Sequence, residues 1–212
     1  MPNYVYSTVA FSGSEEAIHK LIKIALENSR LQSTGDLRSD FARMVREGKT
    51  LQFDKDSRQT RLEDGLTART FLPMPESFLR YDTTNYPDLY PDAVKEQQER
   101  FGVVGWYDYN KQTLGVKGNF ALTEVDLQPN EIMDGWDIFM DTETAWDYPD
   151  EWLIRIKAMV PELDVNLHGV SGMDDEGHLI GFDGYVEDGV LKEGRSLLAQ
   201  EKVRRMIEIM GE

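Results

Sequence analysis

The sequence predicts an α+β fold: a mainly antiparallel sheet in a split β-α-β arrangement, with helices packed on one face. The first observation is an alternating strand pattern over residues 4–11 that passes directly into a helical pattern. The second is residues 136–152, where another alternating strand turns into a second helix. The third is a strand pattern after that helix, followed by a turn and a returning strand up to residue 186. Two strand–helix units and a hairpin need one shared sheet to bury their apolar faces.

Residues 4–11 place apolar side chains on one face of the predicted strand and polar or aromatic side chains on the other. The apolar set is Val5, Val9 and Phe11, and the opposite set is Tyr4, Tyr6 and Thr8. Ser12 or Ser14 can cap the helix that follows. Helical spacing predicts its inner face: Ile18, Leu21, Ile22, Ala25 and Ser29. His19 lies outside this stripe, which favours a solvated helix residue over a ligand.

Residues 33–125 are predicted to be an insertion within a single domain spanning residues 1–212. This segment is polar, with a short helical stretch at 40–47 and a charged run at 54–61 that indicates an exposed loop. Its arginines could form an anion site, but arginines scattered among acids are typical of a solvated surface. These arginines are Arg58, Arg61 and Arg69.

Residues 136–152 contain the strongest patterns in the chain. Trp136, Ile138 and Met140 alternate with a second set, Asp137, Phe139 and Asp141, so we expect the first set to be buried beneath helices. Pro149 suits the first position of the second helix. Its apolar stripe is Trp152, Leu153, Ile156, Met159 and Val160. Because β-α-β crossovers are right-handed, we expect the strands near residues 4 and 136 to pair in parallel in the middle of the sheet.

The C-terminal part, from about residue 163 to 212, is predicted to be a hairpin and a helix. Strand patterns at 163–168 and 178–186 flank a turn at 171–177. A further turn follows at 187–189, and residues 196–210 have a helical pattern.

The charge is strongly asymmetric along the chain. Lys and Arg number 23 against 39 Asp and Glu, which leaves a formal net charge of −16. Residues 1–105 hold 14 basic against 16 acidic residues, and the rest hold 9 against 23, so the net charges are −2 and −14. Such a field repels phosphate backbones, so direct nucleic-acid binding by the acidic half is not expected. The acids either keep the protein soluble or meet a basic partner or a cation.

Composition also excludes several classes of protein. There are no cysteines, which excludes disulfides and thiolate zinc sites. No apolar run approaches the roughly 20 residues of a membrane span, and the start lacks a signal-peptide pattern, so a soluble cytoplasmic protein is expected. Dinucleotide-binding and phosphate-loop motifs are missing from the sequence, and no cofactor is predicted.

Two groups of acids and histidines could bind a metal. Asp137, Asp141 and Glu143 share one strand face, where alternate carboxylates are roughly 7 Å apart. A second group surrounds the C-terminal hairpin, where two histidines could meet across the strands beside a carboxylate. Its members are His168, Asp174, Asp175, Glu176 and His178, of which His168, Asp174 and His178 are the weak metal candidates. The favoured explanations are an acidic solvent face for the first group and an ordinary polar turn for the second.

The leading candidate ligand site is aromatic and polar. If their segments meet, these side chains make a concave surface with stacking faces and hydrogen-bond donors, as in many ligand and peptide sites. Glycines beside Lys117 and a proline beside Trp146 indicate loops, where binding residues often lie. The candidate residues are Trp106, Tyr109, Lys117, Asn119, Trp146 and Tyr148, with Tyr107 adjacent.

Several motifs occur together in the order of a known family. They are the opening M-P-N with a strand ending in F-S-G, then P-M-P-E-S, a Trp followed by a G-x-K-x-N segment, and T-A-W at the end of an acidic strand. From Met1 to about Tyr185 the chain resembles the YubB-like proteins of plasmids, phages and phage-rich genomes. That resemblance implies a ferredoxin-like domain of unknown function. It supplies no established activity.

Three functions follow as hypotheses. The leading one is a non-enzymatic binding module of a mobile element, with an acidic C-terminal surface and the aromatic loop cluster as its site for a protein or small molecule. The alternative is a metal-dependent hydrolase that uses carboxylates with His168 or His178. The second alternative is an acidic DNA mimic that inhibits a host nucleic-acid-binding protein. Catalytic motifs are missing, so no catalytic residues are predicted and an enzyme is not favoured. The oligomeric state is left open.

Overall fold

The computed structural model describes residues 4–54, 59–173 and 179–194, and within these ranges eight strands and seven α-helices occur. The strands are β1 (Tyr4–Gly13), β2 (Lys49–Asp54), β3 (Gln59–Asp64), β4 (Leu122–Asn130), β5 (Gly135–Ala145), β6 (Asp164–Met173), β7 (Leu179–Glu187) and β8 (Val190–Gly194). The helices are α1 (Glu15–Asn28), α2 (Leu37–Glu47), α3 (Ala68–Phe71), α4 (Glu76–Arg80), α5 (Pro91–Phe101), α6 (Gly105–Leu114) and α7 (Asp150–Met159). A 3₁₀ turn occupies Pro87–Leu89.

Six strands form one sheet in the order β4-β5-β1-β6-β7-β8, and every neighbouring pair is antiparallel. A separate hairpin pairs β2 with β3. The predicted α+β class with a mainly antiparallel sheet is therefore confirmed. Among the described residues, no helix combines the length and apolar character needed to cross a membrane.

The predicted parallel pairing of the strands near residues 4 and 136 is wrong. β1 pairs with β5 in the antiparallel sense, with Val9 opposite Met140. The reason is β4, which the sequence pattern did not predict and which forms a hairpin with β5. A bulge between Thr123 and Asp126, with Glu124 at φ 46°, breaks the two-residue period of β4 and hides it. The chain crosses over from β1 through α1 to β4, which runs in the same direction as β1. The hairpin then reverses the chain, so β5 is antiparallel to β1.

The opening strand and helix form as predicted. In β1 the residues Val5, Val9 and Phe11 are buried, whereas Tyr4 and Tyr6 are exposed. The side chain of Ser14 caps α1 by accepting a hydrogen bond from the amide of Ala17 at 3.2 Å. Four of the five residues predicted for the inner face of α1 are buried: Ile18, Leu21, Ile22 and Ala25. The fifth, Ser29, is the C-cap that follows the helix.

The core lies between the sheet and the helices on one of its faces. Ile138 and Met140 are fully buried there, as predicted, while Trp136 is only partly buried against the same cluster. Trp152 of α7 is fully buried, and its Nε1 donates a hydrogen bond to the carbonyl of Ala68 at 3.2 Å. Three rings meet the Trp152 ring edge-on, with centroids 5.4–6.0 Å away: Phe11, Phe71 and Phe120.

The segment between α1 and β4 contains the β2–β3 hairpin and the helices α2 to α6. Helix α2 spans the predicted helical stretch at 40–47. The charged run at 54–61 was predicted to be a loop, but residues 59–61 belong to β3, and residues 55–58 lie outside the described residues. The sequence did not predict β3, because the charged and polar residues at its start show no alternation with apolar residues. The division into a single domain with an insertion stays a prediction.

His19 is not the solvated residue that its place on α1 predicted. Its Nε2 lies 2.9 Å from Oδ2 of Asp40, a side chain that is fully buried on α2. Asp40 also accepts hydrogen bonds from the Ser33 hydroxyl and, at 2.7 Å each, from the amide and hydroxyl of Thr34. Burial raises the pKa of the Asp40 carboxyl, but these hydrogen bonds outweigh it and hold that pKa below its usual range. The buried carboxylate joins α1, α2 and the connecting loop.

β6 and β7 pair in the antiparallel sense, as the predicted strands do, but β6 continues to Met173, so residues 171–173 of the predicted turn at 171–177 are strand, and residues 174–178 lie outside the described residues. The turn at 187–189 leads into β8, a strand that the sequence pattern did not predict. Asp188 and Gly189 both have positive φ, 53° and 74°, which is the conformation of a two-residue hairpin turn that matches strand twist. The predicted helix at 196–210 lies outside the described residues.

Candidate binding site

Trp146 is the most unusual residue at the predicted ligand site. It follows the last residue of β5, its side chain is 55% exposed, and its φ is 77°. A bulky residue in the left-handed region costs of order 1–3 kcal/mol, and such strain persists only where the surroundings enforce it. Strained residues of this kind cluster at ligand sites, so Trp146 marks a candidate site from an observed conformation.

The turn that carries Trp146 is held on both sides. The buried hydroxyl of Thr144 donates a hydrogen bond to the carbonyl of Asp147 across the turn. The amide of Tyr148 donates to Oδ1 of Asp147 at 3.0 Å, and the amide of Asp150 donates to the carbonyl of Tyr148 at 2.9 Å. These bonds restrict the backbone of the turn and hold Trp146 at the point where its ring meets solvent.

Lys117 reaches Trp146 from a different part of the chain. Its Nζ lies 5.4 Å from the centroid of the Trp146 ring, within cation–π range. The carbonyl of Lys117 accepts a hydrogen bond from Asn110 Nδ2 at 3.3 Å. Gly115 ends α6 with φ 78°, and a Cβ there would lie 2.0 Å from Oδ1 of Asp150. Only glycine permits this approach of the loop to the start of α7.

A second lysine and ring lie on α6. Nζ of Lys111 is 6.0 Å from the centroid of the Tyr107 ring, and the Trp106 ring meets Tyr107 edge-on at 6.0 Å. Burial raises the pKa of Asp147, and the positive charge of Lys111 opposes that rise. We call the group formed by Trp146, Lys117, Lys111, Tyr107 and Asp147 the aromatic corner.

Asp150 borders the aromatic corner. Burial raises the pKa of its carboxyl, a hydrogen bond from the amide of Glu151 at 2.7 Å opposes the rise, and repulsion by Asp147 adds to it. Two carboxyl groups with raised pKa therefore lie beside an exposed ring and two ammonium groups. The corner offers a stacking face, donors and acceptors.

The other predicted ligand residues are placed in packing roles. Tyr109 stacks on Phe78, with centroids 4.5 Å apart, and Asn119 Oδ1 accepts a hydrogen bond from the amide of Arg69 at 3.3 Å. Tyr148 lies against Phe182 at 4.7 Å. Of the six predicted residues, the structure joins Lys117 with Trp146 directly and places Trp106 against Tyr107 on α6. A ligand role for Tyr109, Asn119 and Tyr148 stays a prediction.

Arg69 is a buried residue that sequence reasoning placed on the surface. Its exposure is 3%, and burial lowers its pKa to about 10. Its guanidinium donates to the carbonyl of Leu72 at 3.1 Å, to the Thr113 hydroxyl at 3.0 Å and to the amide oxygen of Asn110. It also lies 5.1 Å from the centroid of Tyr109. Arg69 thus links α3 to α6 through neutral oxygen acceptors and the ring of Tyr109. No local sequence pattern reveals these contacts.

The predicted carboxylate face of β5 is present and tied to its neighbours. Asp137 accepts a hydrogen bond from Asn130 Nδ2 at 2.9 Å, and Asp141 accepts one from the Thr8 hydroxyl at 2.7 Å. On the hairpin, Nδ1 of His168 lies 2.6 Å from Oδ1 of Asp183. Asp174 and His178 lie outside the described residues. Within the parts of the chain that the structure describes, no three histidines or acids are grouped as metal ligands.

Comparison with known proteins gives a distant structural likeness. No family model matches the chain, and no curated protein matches it. The crystal structure of protein api92 from Yersinia pseudotuberculosis, of the family DUF1281, aligns with 92% of this chain and 98% of its own. The TM-score is 0.37 and the identity is 11%. The aligned protein is uncharacterised, and a similarity this distant transfers no function to this chain.

Proposed function

We propose that this protein is a non-enzymatic binding module and that the aromatic corner is its ligand site. The observation that carries the proposal is Trp146, an exposed indole held in a strained conformation beside Lys117. An exposed tryptophan gains binding energy when a ligand covers its ring, and tryptophan is enriched at the energetic centres of interfaces. The restricted backbone at Trp146 lowers the entropy cost of binding.

The chemistry of the corner favours a planar group that carries hydrogen-bond acceptors. The indole provides a stacking face, and the ammonium groups of Lys117 and Lys111 provide donors. In a chain with a net charge of −16, the positive charges of these two lysines also reduce the repulsion that an acceptor group meets.

The relationship to YubB-like proteins and an origin in a mobile element belong to the same proposal. Two motifs that carry the resemblance, T-A-W at 144–146 and G-x-K-x-N at 115–119, supply Trp146 and Lys117. The order β4-β5-β1-β6, with α1 and α7 following β1 and β5, supports the ferredoxin-like assignment.

Fluorine NMR on protein labelled with 5-fluorotryptophan tests the binding site. The chain has four tryptophans, and single Trp→Phe variants assign their signals. In a screen of small planar acids and amides, binders should shift the Trp146 signal and leave that of buried Trp152 in place. The Trp146→Gly variant should lose these binders while its unfolding midpoint is retained. A screen whose binders act only elsewhere, or that finds none, contradicts the proposal.

The hydrolase alternative is favoured by one observation, the contact of 2.6 Å between His168 and Asp183, which can fix the orientation of the imidazole ring. Thermal unfolding with and without Mg²⁺, Mn²⁺, Ca²⁺ or Zn²⁺ tests it, because a metal bound to the folded state raises the midpoint. A shift that the His168→Ala variant abolishes supports a metal site at the hairpin. No shift with any of the four metals rejects the alternative.

A further inference from the structure

One face of the six-stranded sheet is left open by the helices that the structure describes. Helices α1 and α7 pack on the face that carries Val9, Phe11 and Ile138. On the opposite face, which we call the open face, three tyrosines are each 46% exposed: Tyr4, Tyr6 and Tyr185. Apolar rings left in contact with water on a broad flat surface are typical of interaction sites.

Strand register assembles the open face from distant parts of the chain. Asp141, Thr8, His168 and Asp183 lie opposite one another in a row across four neighbouring strands, β5, β1, β6 and β7. Within that row Thr8 bonds Asp141 at 2.7 Å, and His168 bonds Asp183 at 2.6 Å. At about 4.8 Å between strands, the two strands that carry Asp141 and Asp183 lie roughly 14 Å apart.

The rows on either side of this one contain the rings. Tyr6 lies opposite Glu143, and Ala10 lies between Phe139 and Asn166. Asn166 in turn lies opposite Tyr185. Ala10 itself is only 5% exposed, so its larger neighbours cover it, and the rings of Tyr6 and Tyr185 lie on either side of the central row among the acids.

The charge of the open face is strongly negative. Seven carboxylates share it by register: Asp126, Asp137, Asp141, Glu143, Asp164, Asp183 and Glu187. Three of them accept hydrogen bonds from neutral amide or hydroxyl groups, of Gln128, Asn130 and Thr8, so those bonds leave their charge in place. Lys192 also lies on this face, and it is ion-paired with Glu187.

We propose that the open face docks a Lys- and Arg-rich segment of a partner protein. Guanidinium groups stack on tyrosine rings and form paired hydrogen bonds with carboxylates, so the two features of this face suit the same occupant. A surface of this charge also repels acidic proteins and nucleic acids. This surface is distinct from the aromatic corner, and either proposal can fail without the other.

Fluorescence anisotropy with a labelled Lys-Arg repeat peptide tests the proposal, with a Gly-Ser repeat peptide as the negative probe. The double variant Asp141→Asn/Glu143→Gln removes two charges from the open face. The matched control, Glu96→Gln/Glu99→Gln, removes two charges from α5, away from the face. A third variant, Tyr6→Ala, removes a ring and no charge.

The intact protein should bind the basic peptide at low salt, and binding should weaken as salt is raised. The open-face double variant and Tyr6→Ala should each weaken binding by about fivefold or more, whereas the α5 control should stay within about twofold. Unfolding midpoints close to that of the parent protein show that the variants are folded. The proposal is overturned if the peptide does not bind, if either open-face variant keeps full affinity, or if the α5 control loses as much.

Discussion

The two faces of the six-stranded sheet carry different kinds of side chain, although they alternate along the same strands. In β5, Ile138 and Met140 are fully buried under helices, while their neighbours Asp137 and Asp141 are half-buried on the open face. In β1, Val9 is buried and Tyr6 is 46% exposed. Folding free energy therefore comes mainly from one face, because burial of apolar area is its main source. The other face is free to carry side chains that contribute little to stability and much to binding.

The largest expected contrast between the faces is between two aromatic residues. Trp152→Ala should cost about 3–5 kcal/mol, because it removes a fully buried ring that contacts three others. Tyr6→Ala on the open face should cost less than about 1 kcal/mol. Urea denaturation measures both free energies of unfolding. Similar losses in the two variants would show that something covers the open face in solution.

Asp40 provides the opposite case to the acids of the open face, since it is a carboxylate that stabilises the fold. Asp40→Asn should cost about 2–4 kcal/mol at neutral pH, because it replaces one of two buried acceptor oxygens, each of which accepts two hydrogen bonds, with an NH2 donor and removes the charge. The pKa of Asp40 is lower in the folded state, so its contribution is present above the unfolded pKa of about 4 and is lost as the pH falls.

Denaturation across a series of pH values checks this linkage. The difference in unfolding free energy between the parent protein and Asp40→Asn should be full near pH 6 and should shrink below about pH 4. A difference that stays constant down to the acid range would mean that the Asp40 carboxylate is not preferentially stabilised by its partners.

Trp146 should show the smallest effect, and its sign is informative. Trp146→Ala and Trp146→Gly both remove the exposed ring, but only glycine adopts a φ of 77° without strain. Trp146→Gly should therefore be more stable than Trp146→Ala by about 1 kcal/mol. Thermal or urea unfolding of the two variants measures the difference. Equal stabilities, or a more stable alanine variant, would mean that Trp146 is not strained in solution.

Sequence patterns predicted the elements whose period is local. β1, α1, β5 and α7 each carry an apolar period over neighbouring residues, and these elements form the centre of the fold. β4 was missed because its bulge at Thr123 to Asp126 interrupts the period. The direction of β5 relative to β1 was wrong for the same reason, since strand order depends on every strand in between.

The candidate site was predicted in part, and the limit is physical. Glycine and proline indicate turns, so the loops of Lys117 and Trp146 could be identified from the sequence. Contacts between distant side chains have no local period. For that reason the partners of His19 and Arg69, which are 21 and 41 residues away in the chain, could not be predicted. The left-handed conformation of Trp146 is equally invisible in a sequence, because tryptophan rarely adopts it.

The most direct test of the contrast between the two faces uses adjacent residues of one strand. Ile138→Ala should lower the free energy of unfolding by about 2–5 kcal/mol, since it opens a cavity in the core. Asp137→Ala, one residue away and facing the other side, should cost less than about 1 kcal/mol, the contribution of its hydrogen bond with Asn130. Urea denaturation of the two variants under the same conditions gives the result. A larger loss in Asp137→Ala than in Ile138→Ala would mean that the acidic face, and not the apolar one, holds the fold together.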